Sequence, residues 1–210
     1  MENFIARDSG ARIVNWKLTI WKSETKRKKN ILWRGSLMAN TEKKQKKVFV
    51  LSGVPGSGKS TLVAKLIDKM GGECISRDAI RFSLLKEGED YFAHENEVVN
   101  KFNAAIHNSV KKNENTFIDA THLTPKTRRL VMSQVPSTFD VRFIALSFEV
   151  PLEVALERNA LRSGRALVPE TAILNMYARY QIPSIKTELF DEVWHINDKV
   201  IYKMELADEE

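Results

Sequence analysis

The most informative stretch of this chain is Gly53-Val54-Pro55-Gly56-Ser57-Gly58-Lys59-Ser60-Thr61, which has the spacing G-x-x-x-x-G-K-S. An apolar run at residues 48–51 precedes it, and a helical pattern at residues 62–70 follows it. A strand–loop–helix context of this kind distinguishes a phosphate-binding P-loop from a chance match. The alternative is a surface loop rich in Gly and Ser, and the full pattern in this context argues against it.

The motif also predicts how a triphosphate is held. Its glycines allow backbone N–H groups to turn toward an anion, and the N-terminus of the following helix adds a favourable dipole. Lys59 is expected to reach the β- and γ-phosphates, and the Ser60 hydroxyl to hold Mg²⁺. We therefore predict that ATP and Mg²⁺ are bound by the loop residues Gly53, Pro55, Gly56, Ser57, Gly58, Lys59, Ser60 and Thr61.

Composition limits the classes of protein to which the chain can belong. The 210 residues fit one domain with an appendage, and 43% apolar residues are enough for a core. No apolar run approaches the ~20 residues of a membrane span, so no membrane partner is expected. A single cysteine, Cys74, excludes an internal disulfide and fits a reducing compartment such as the cytoplasm.

The net charge of +6 is distributed unevenly along the chain. Residues 1–47 carry 13 Lys and Arg against 4 Asp and Glu, whereas residues 48–210 carry 20 against 23. The body is therefore slightly acidic, and a broad basic surface for nucleic acid is not predicted on it. Residues 1–45 are predicted to form a basic, flexible arm, although its three Trp residues among basic clusters would also suit stacking on single-stranded nucleic acid.

The arm leads to a hypothesis about where translation starts. Trp33-Arg34-Gly35 can be encoded TGG-AGG-GGN, which resembles a bacterial ribosome-binding site, and Met38 follows shortly after it. We hypothesise that the native protein begins at Met38 and that residues 1–37 are a translated leader. An Arg34 codon other than AGG or AGA would contradict this hypothesis.

Strand-like apolar runs alternate with helical patterns through residues 46–210, which we predict to be one domain. Together with the P-loop, this alternation predicts an α/β fold of the three-layer P-loop NTPase type, with a mostly parallel central sheet and a helical lid. Strands are predicted at residues 47–52, 73–76, 116–120, 141–148 and 192–196, with an edge strand within 199–206. Helices are predicted at residues 59–70, 78–85, 92–112, 125–135, 152–161 and 169–180. Ligands of such sheets bind at the carboxyl ends of the strands, so the residues that follow each strand should form one site.

Asp78 and Arg81 follow the second of these strands. A carboxylate at that position can accept the proton of an attacking hydroxyl, and Arg81, one helical turn later, could bind a phosphate of the acceptor with two hydrogen bonds. The alternative is local, with Asp78 as a helix N-cap and Arg81 as its i,i+3 partner. Beside a P-loop we favour the catalytic interpretation, and Asp78 could serve both purposes.

Residues 152–165 are predicted to form the lid. On a helix, Arg158 and Arg162 would share one face, and positions 154, 155 and 159 hold no acidic residue. Like charges at this spacing repel slightly, and a phosphate between the two guanidinium groups would turn that repulsion into attraction. We predict that both arginines bind ATP and stabilise charge on the transferred phosphoryl group, the alternative being that they point to solvent.

Three segments together resemble the kinase domain of phage polynucleotide kinase: GVPGSGKST, SRDAIR, and ERNALRSGRALVP followed by MYARYQIP. The similarity covers about residues 46–185, so that residues 46–210 would be a P-loop kinase domain. Enzymes of this family transfer the γ-phosphate of ATP to the 5′-hydroxyl of DNA or RNA. The resemblance implies catalytic roles for Lys59, Asp78 and Arg162, donor-phosphate binding by Arg158 and Arg162, and acceptor binding by Arg81.

Two features depart from the family pattern. Asp119-Ala120-Thr121-His122 stands where the family has Asp-Thr-Asn, and alignment on the following Leu-x-Pro puts Ala120 at the position of the family acid. Asp119 therefore resembles a Walker-B-type acid, which would help to hold Mg²⁺. The Asp-x-Asp-Gly-Thr motif of the family's phosphatase domain does not occur, so we expect no 3′-phosphatase activity.

The leading hypothesis is a Mg²⁺- and ATP-dependent kinase for the 5′-hydroxyl ends of polynucleotides. One alternative is a P-loop kinase for a small hydroxylated metabolite, a nucleotide-sugar or an aminoacyl-tRNA, which the acidic body favours. Another alternative is an ATP-binding module that transfers no phosphate. The presence of Asp78 and Arg81 disfavours it, because such a module needs no base for an acceptor. The resemblance further implies nucleic-acid ends as substrate, repair alongside a nucleic acid ligase, and a bacterial or phage-infected cytosol.

Overall fold

The computed structural model of the chain describes residues 11–16, 45–197 and 201–206, and it describes side chains for residues 45–197. The strands are β1 (Ala11–Trp16), β2 (Lys46–Ser52), β3 (Glu73–Ser76), β4 (Asn115–Asp119), β5 (Val141–Phe148), β6 (Glu192–Ile196) and β7 (Ile201–Leu206). The α-helices are α1 (Lys59–Met70), α2 (Arg77–Leu84), α3 (Glu95–Lys112), α4 (Pro125–Met132), α5 (Leu152–Ala160) and α6 (Glu170–Ala178). None of these helices is long and apolar enough to cross a membrane.

The strands form one sheet in the order β1-β7-β6-β5-β2-β4-β3. The five strands from β6 to β3 are parallel, whereas β7 is antiparallel to both β6 and β1. The mostly parallel sheet of the predicted α/β fold is therefore confirmed. The predicted strand within residues 199–206 is present as β7, but it does not lie at the edge because β1 pairs with its outer side.

Helices cover both faces of the parallel strands because successive side chains of a strand point to opposite sides. In β2, Val48 and Val50 are buried in a cluster that includes Phe102 of α3. Phe49, between them in sequence, is buried on the other face with Val63 of α1. A continuous apolar strand buried on both faces produces the three-layer arrangement that the sequence predicts.

Most predicted element boundaries agree with the structure to within a few residues, and two differences affect the site. Helix α3 begins at Glu95 rather than at residue 92, because the Asp90 side chain and backbone accept hydrogen bonds from Phe92 N and Ala93 N and form a separate turn. Helix α5 ends at Ala160, so the helical spacing assumed for Arg158 and Arg162 does not extend to Arg162.

The predicted arm lies mostly outside the described residues. Its described part before Gln45 is β1, which pairs with β7. The flexibility of the arm, the domain boundary after residue 45 and the start at Met38 remain predictions.

Arg128 joins several parts of the chain beneath the sheet's carboxyl edge. Its fully buried guanidinium group donates from Nε and one terminal nitrogen to the Glu188 carboxylate at 2.7 and 2.8 Å. Its other terminal nitrogen donates to Ser52 Oγ at 3.1 Å, His122 O at 3.0 Å and Gln181 O at 2.9 Å. A buried charge with this set of partners is stable only while the opposite charge is present.

We expect Arg128→Met to lower the free energy of unfolding by about 3–5 kcal/mol, because it leaves the Glu188 carboxylate buried without its partner. Arg129→Met is the matched control, since Arg129 is the exposed neighbour on α4 and its replacement should change stability by no more than about 0.5 kcal/mol. Urea unfolding of the two variants measures the difference. Equal stabilities would contradict the role given to Arg128.

Candidate active site

The P-loop connects β2 to α1 and packs against α5. Gly58 is the N-cap of α1 with a φ of 93°, and as a glycine it has no side chain to cap the helix. Gly56 has a φ of 82°, and a Cβ at this position would lie 2.2 Å from the Ala155 carbonyl oxygen. Both positions therefore need glycine, and the first N–H groups of α1 remain available to an anion.

Lys59 lies across this loop. Its Nζ donates to the carbonyl oxygens of Gly53 and Val54 at 2.9 and 2.8 Å. Burial lowers the pKa of Lys59 to about 8, and the charge of Arg162 acts in the same direction, whereas Asp119 and Asp78 raise it. The four charged groups are therefore close enough to interact.

Ser57 provides a direct test of whether the loop fits phosphate. Its Oγ is buried and has no hydrogen-bond partner among the described residues. A buried hydroxyl without a hydrogen-bond partner destabilises the folded protein unless a ligand supplies that hydrogen bond. With the uncapped start of α1 and the Lys59 ammonium, this hydroxyl makes the loop suitable for a triphosphate.

Ser60 and Asp119 are the residues that could hold Mg²⁺. Ser60 is exposed in the first turn of α1, and Asp119 ends β4. Burial raises the pKa of Asp119, although the Lys59 charge opposes this shift. The described residues contain no cluster of three or more His, Cys, Asp or Glu that could hold a metal ion.

Asp78 lies at the start of α2, one strand beyond Asp119. The N-cap of this helix is Ser76, whose Oγ accepts from Ala79 N, so the capping role considered for Asp78 belongs to Ser76. Asp78 Oδ1 accepts hydrogen bonds from an Arg81 terminal nitrogen at 3.0 Å and from the Tyr91 hydroxyl at 2.7 Å. Its side chain is 61% exposed, so the other carboxylate oxygen is accessible to a substrate.

Arg81 is held more tightly than its predicted role suggests. Its side chain is only 5% exposed and donates to Asp78, to the Tyr91 hydroxyl at 2.9 Å and to Glu95 at 2.5 Å. Burial opposes ionisation of Glu95, but hydrogen bonds and charge from Arg81 and Arg77 leave its pKa lowered. The local Asp78–Arg81 pair is thus present. Phosphate binding by Arg81 would therefore require exchange of these contacts.

The lid contacts both the P-loop and the acceptor side. A terminal nitrogen of Arg158 lies 3.9 Å from the position that a Cβ on Gly58 would take. In the last turn of α5, Asn159 donates to the Val168 carbonyl oxygen and accepts from Val168 N, and the chain between them passes through the short 3₁₀ turn Gly164–Ala166. Arg165 donates to the carbonyl oxygens of Leu85 at 3.2 Å and Lys86 at 2.9 Å, just beyond α2. The lid therefore connects the P-loop with the segment just beyond α2, and the region between these two is called the cleft below.

His122 connects the P-loop strand to the loop after β4. It has a φ of 38°, which is uncommon for a residue with a Cβ, and its Nδ1–H donates to Leu51 O at 2.8 Å. Its own carbonyl oxygen accepts from Ser52 Oγ at 2.8 Å, and Gly53 N donates to Thr121 O at 2.9 Å. These bonds hold the start of the P-loop in place.

A family model described as AAA domain matches residues 48–183, about two thirds of the chain. The chain belongs to this family. Its fold is that of a P-loop kinase, which indicates a phosphotransferase that uses a nucleotide. The matched residues include the P-loop, Asp78, Arg81, Asp119 and both predicted lid arginines.

Several solved structures share this fold. They include the Pnkp1/Rnl/Hen1 RNA repair complex, at 22% identity and a TM-score of 0.57, with 83% of this chain and 52% of that chain covered. A fungal RNA kinase has 18% identity and a TM-score of 0.50, with 79% and 40% covered. A sugar kinase from Janibacter sp. HTCC2649 has 20% identity and a TM-score of 0.50, with 73% and 85% covered.

At these identities the similarity is one of fold alone. The chain spans about half the length of the RNA repair and RNA kinase chains that it matches. A comparison with curated proteins gives no match.

Sequence reasoning missed two residues of the site, Glu95 and Tyr91, which contact Arg81 and Asp78. Arg165 lies in the predicted lid and His122 in the segment after β4 that was expected at the site, but their contacts were not predicted. Glu95 and Arg165 are too far along the chain from their partners for spacing to reveal the contacts. Tyr91 had a visible signal, because Tyr91-Phe92 is an aromatic pair in an otherwise polar segment.

Burial lowers the pKa of His122 from 6.5 to about 4, although its hydrogen bond to Leu51 opposes this shift. In the unfolded chain this histidine takes up a proton below about pH 6.5, and in the folded chain only below about pH 4. Protonation of His122 in the unfolded chain should therefore lower the free energy of unfolding by about 1.4 kcal/mol for each pH unit as the pH falls from 6.5 toward 4. Urea unfolding of wild type and His122→Gln at several pH values measures the slope. The slope should be smaller in the variant, and identical slopes would contradict the prediction.

Proposed function

We propose that this protein transfers the γ-phosphate of ATP to the 5′-hydroxyl of a polynucleotide. Phage polynucleotide kinases, whose motifs this sequence resembles, carry out the same reaction. The observation that carries the proposal is the accessible Asp78 carboxylate, paired with Arg81 and within electrostatic range of Lys59. A candidate base for an acceptor hydroxyl and a cation for the donor phosphates therefore lie in the same cleft.

The proposed reaction requires only one proton transfer by the protein. Asp78 accepts the proton of the 5′-hydroxyl as its oxygen bonds to the γ-phosphorus, and the bond from that phosphorus to the β,γ-bridging oxygen breaks to release ADP. The Tyr91 and Arg81 hydrogen bonds both fall on Oδ1, which fixes the orientation of the carboxylate.

The donor side supplies positive charge beside the ATP phosphates, on which negative charge shifts during the transfer. Lys59 and the backbone of the P-loop bind the phosphates, Arg158 lies beside Gly58, and the charge of Arg162 reaches Lys59. Mg²⁺ bound to the nucleotide would neutralise phosphate charge, with Ser60 and Asp119 as the residues that would hold it.

The choice of a polynucleotide rests on the acceptor side. Arg81 next to the base suits an acceptor that carries a phosphate near its hydroxyl, as a polynucleotide end does. The RNA repair complex and the RNA kinase that share the fold are consistent with this choice. We further propose a role in the repair of nucleic-acid ends in the cytoplasm, together with a nucleic acid ligase.

A small hydroxylated metabolite is the second candidate acceptor. A sugar kinase shares the fold, and residues 48–210 have a slight excess of acidic residues, so a long basic track for nucleic acid is not expected. An ATP-binding module without transfer is a third possibility, but it would need no base such as Asp78.

A transfer assay separates these candidates. Purified protein, γ-labelled ATP, Mg²⁺ and a short 5′-hydroxyl oligonucleotide should yield labelled oligonucleotide, because the cleft would hold both substrates. The same oligonucleotide with a 5′-phosphate is the control and should remain unlabelled. Binding of ATP without transfer to the oligonucleotide would overturn the proposal.

Asp78→Asn should lower kcat by about 10²- to 10⁴-fold, because the amide cannot accept the proton. The dissociation constant for ATP should change by less than about twofold, since Asp78 lies on the acceptor side. Asp68→Asn, an exposed replacement on α1, is the matched control. Full activity of Asp78→Asn would exclude Asp78 as the base.

A further inference from the structure

Two adjacent aromatic side chains are exposed beside the candidate base. Phe92 is 63% exposed and Tyr91 39% exposed, in the turn between α2 and α3. A single exposed apolar residue is ordinary on a protein surface. The position of this pair is what makes it informative.

The pair is connected directly to the acceptor side of the cleft. The Tyr91 hydroxyl donates to Asp78, and the Arg81 guanidinium lies 4.3 Å from the centre of the Tyr91 ring and 5.5 Å from that of Phe92. The two rings meet edge to face, with centres 4.9 Å apart and an interplanar angle of 89°. Only the Tyr91 side chain therefore lies between Phe92 and the Asp78 carboxylate, which would receive the hydroxyl proton.

The backbone holds Phe92 in this position. Phe92 N donates to Asp90 Oδ1 at 2.8 Å, and Phe92 O accepts from Glu95 N at 3.1 Å at the start of α3. Tyr91 is supported from the other side by Phe82 of α2, at 6.2 Å between ring centres. The exposed ring is thus positioned before any ligand binds, which lowers the entropic cost of contacting one.

We propose that Phe92, supported by Tyr91, is a stacking platform for the base of the acceptor's 5′-terminal nucleotide, an inference that rests on the proposed function. The base and the reacting 5′-hydroxyl are carried by the same sugar, so a hydroxyl at Asp78 brings its base to the neighbouring surface. Aromatic side chains bind bases by stacking, and any of the bases can stack.

The charge around the platform favours a base over a phosphate. Residues 85–92 carry three acidic residues, Glu87, Glu89 and Asp90, against one basic residue, Lys86, and the Arg81 guanidinium beside the rings is paired with Asp78 and Glu95. A phosphate placed against Phe92 itself would meet this net negative charge, whereas a neutral base would not. The platform should therefore contribute through stacking and should show little preference for one base over another.

The test compares two 5′-hydroxyl oligonucleotides that differ only in the first nucleotide, which carries a base in one and is abasic in the other. For the wild type, KM should be about 5- to 100-fold lower for the oligonucleotide with the base, as expected for stacking of one base. Phe92→Ala should raise KM for that oligonucleotide only, and Phe92→Trp should restore it. Leu130→Ala is the matched control, because Leu130 is also 63% exposed but lies on α4.

Three results would contradict the proposed stacking role of Phe92, and the assay distinguishes them from one another. Equal KM values for the two oligonucleotides in the wild type would show that the base is not bound, while the proposed function stands. A Phe92→Ala variant that raises KM for both oligonucleotides alike would indicate a structural role. A wild-type protein that labels neither oligonucleotide but phosphorylates a sugar would overturn the proposed function and the platform with it.

Discussion

The candidate site depends on the position of β2 between β4 and β5 in a parallel sheet. Parallel pairing brings the carboxyl ends of strands to one edge of the sheet. Ser52 at the end of β2 pairs with Ser147 of β5, and Ser76 at the end of β3 pairs with Asp119 of β4. The P-loop begins one residue after Ser52 and Asp78 follows two residues after Ser76, so groups distant in sequence meet in one cleft.

Three largely buried cations in this region differ in how their charge is balanced. Arg128 is fully paired with Glu188 and serves to hold the fold together. Arg81 is paired with Asp78 and Glu95, which orients the acceptor side. Among the described residues, Lys59 donates to two backbone carbonyl oxygens, those of Gly53 and Val54, and burial lowers its pKa to about 8. Incoming phosphates would add negative charge beside Lys59, whereas Arg128 and Arg81 already have carboxylate partners.

The sequence predicted the strands well where burial on both faces leaves an uninterrupted apolar run, as in β2 and β5. It was less accurate at the ends of helices, since the Asp90 turn and the Asn159 contacts with Val168 depend on side chains that bond locally in a way periodicity does not reveal. The helical spacing assumed between Arg158 and Arg162 accordingly fails, because α5 ends at Ala160. The pairing of Arg81 with Glu95 depends on how α2 packs against α3, which no pattern within either helix specifies.

The sequence by itself determined the P-loop, the α/β alternation and the presence of Asp78 and Arg81 after a strand, because these follow from short-range spacing and from the burial of apolar runs. Only the tertiary structure decided that Tyr91 binds Asp78, that Arg165 reaches the carbonyl oxygens beyond α2, and that Arg128 is buried against Glu188. These contacts join residues on different elements. Their geometry follows from helix packing and from the pairing of strands that are remote in sequence, and both are set by the whole fold.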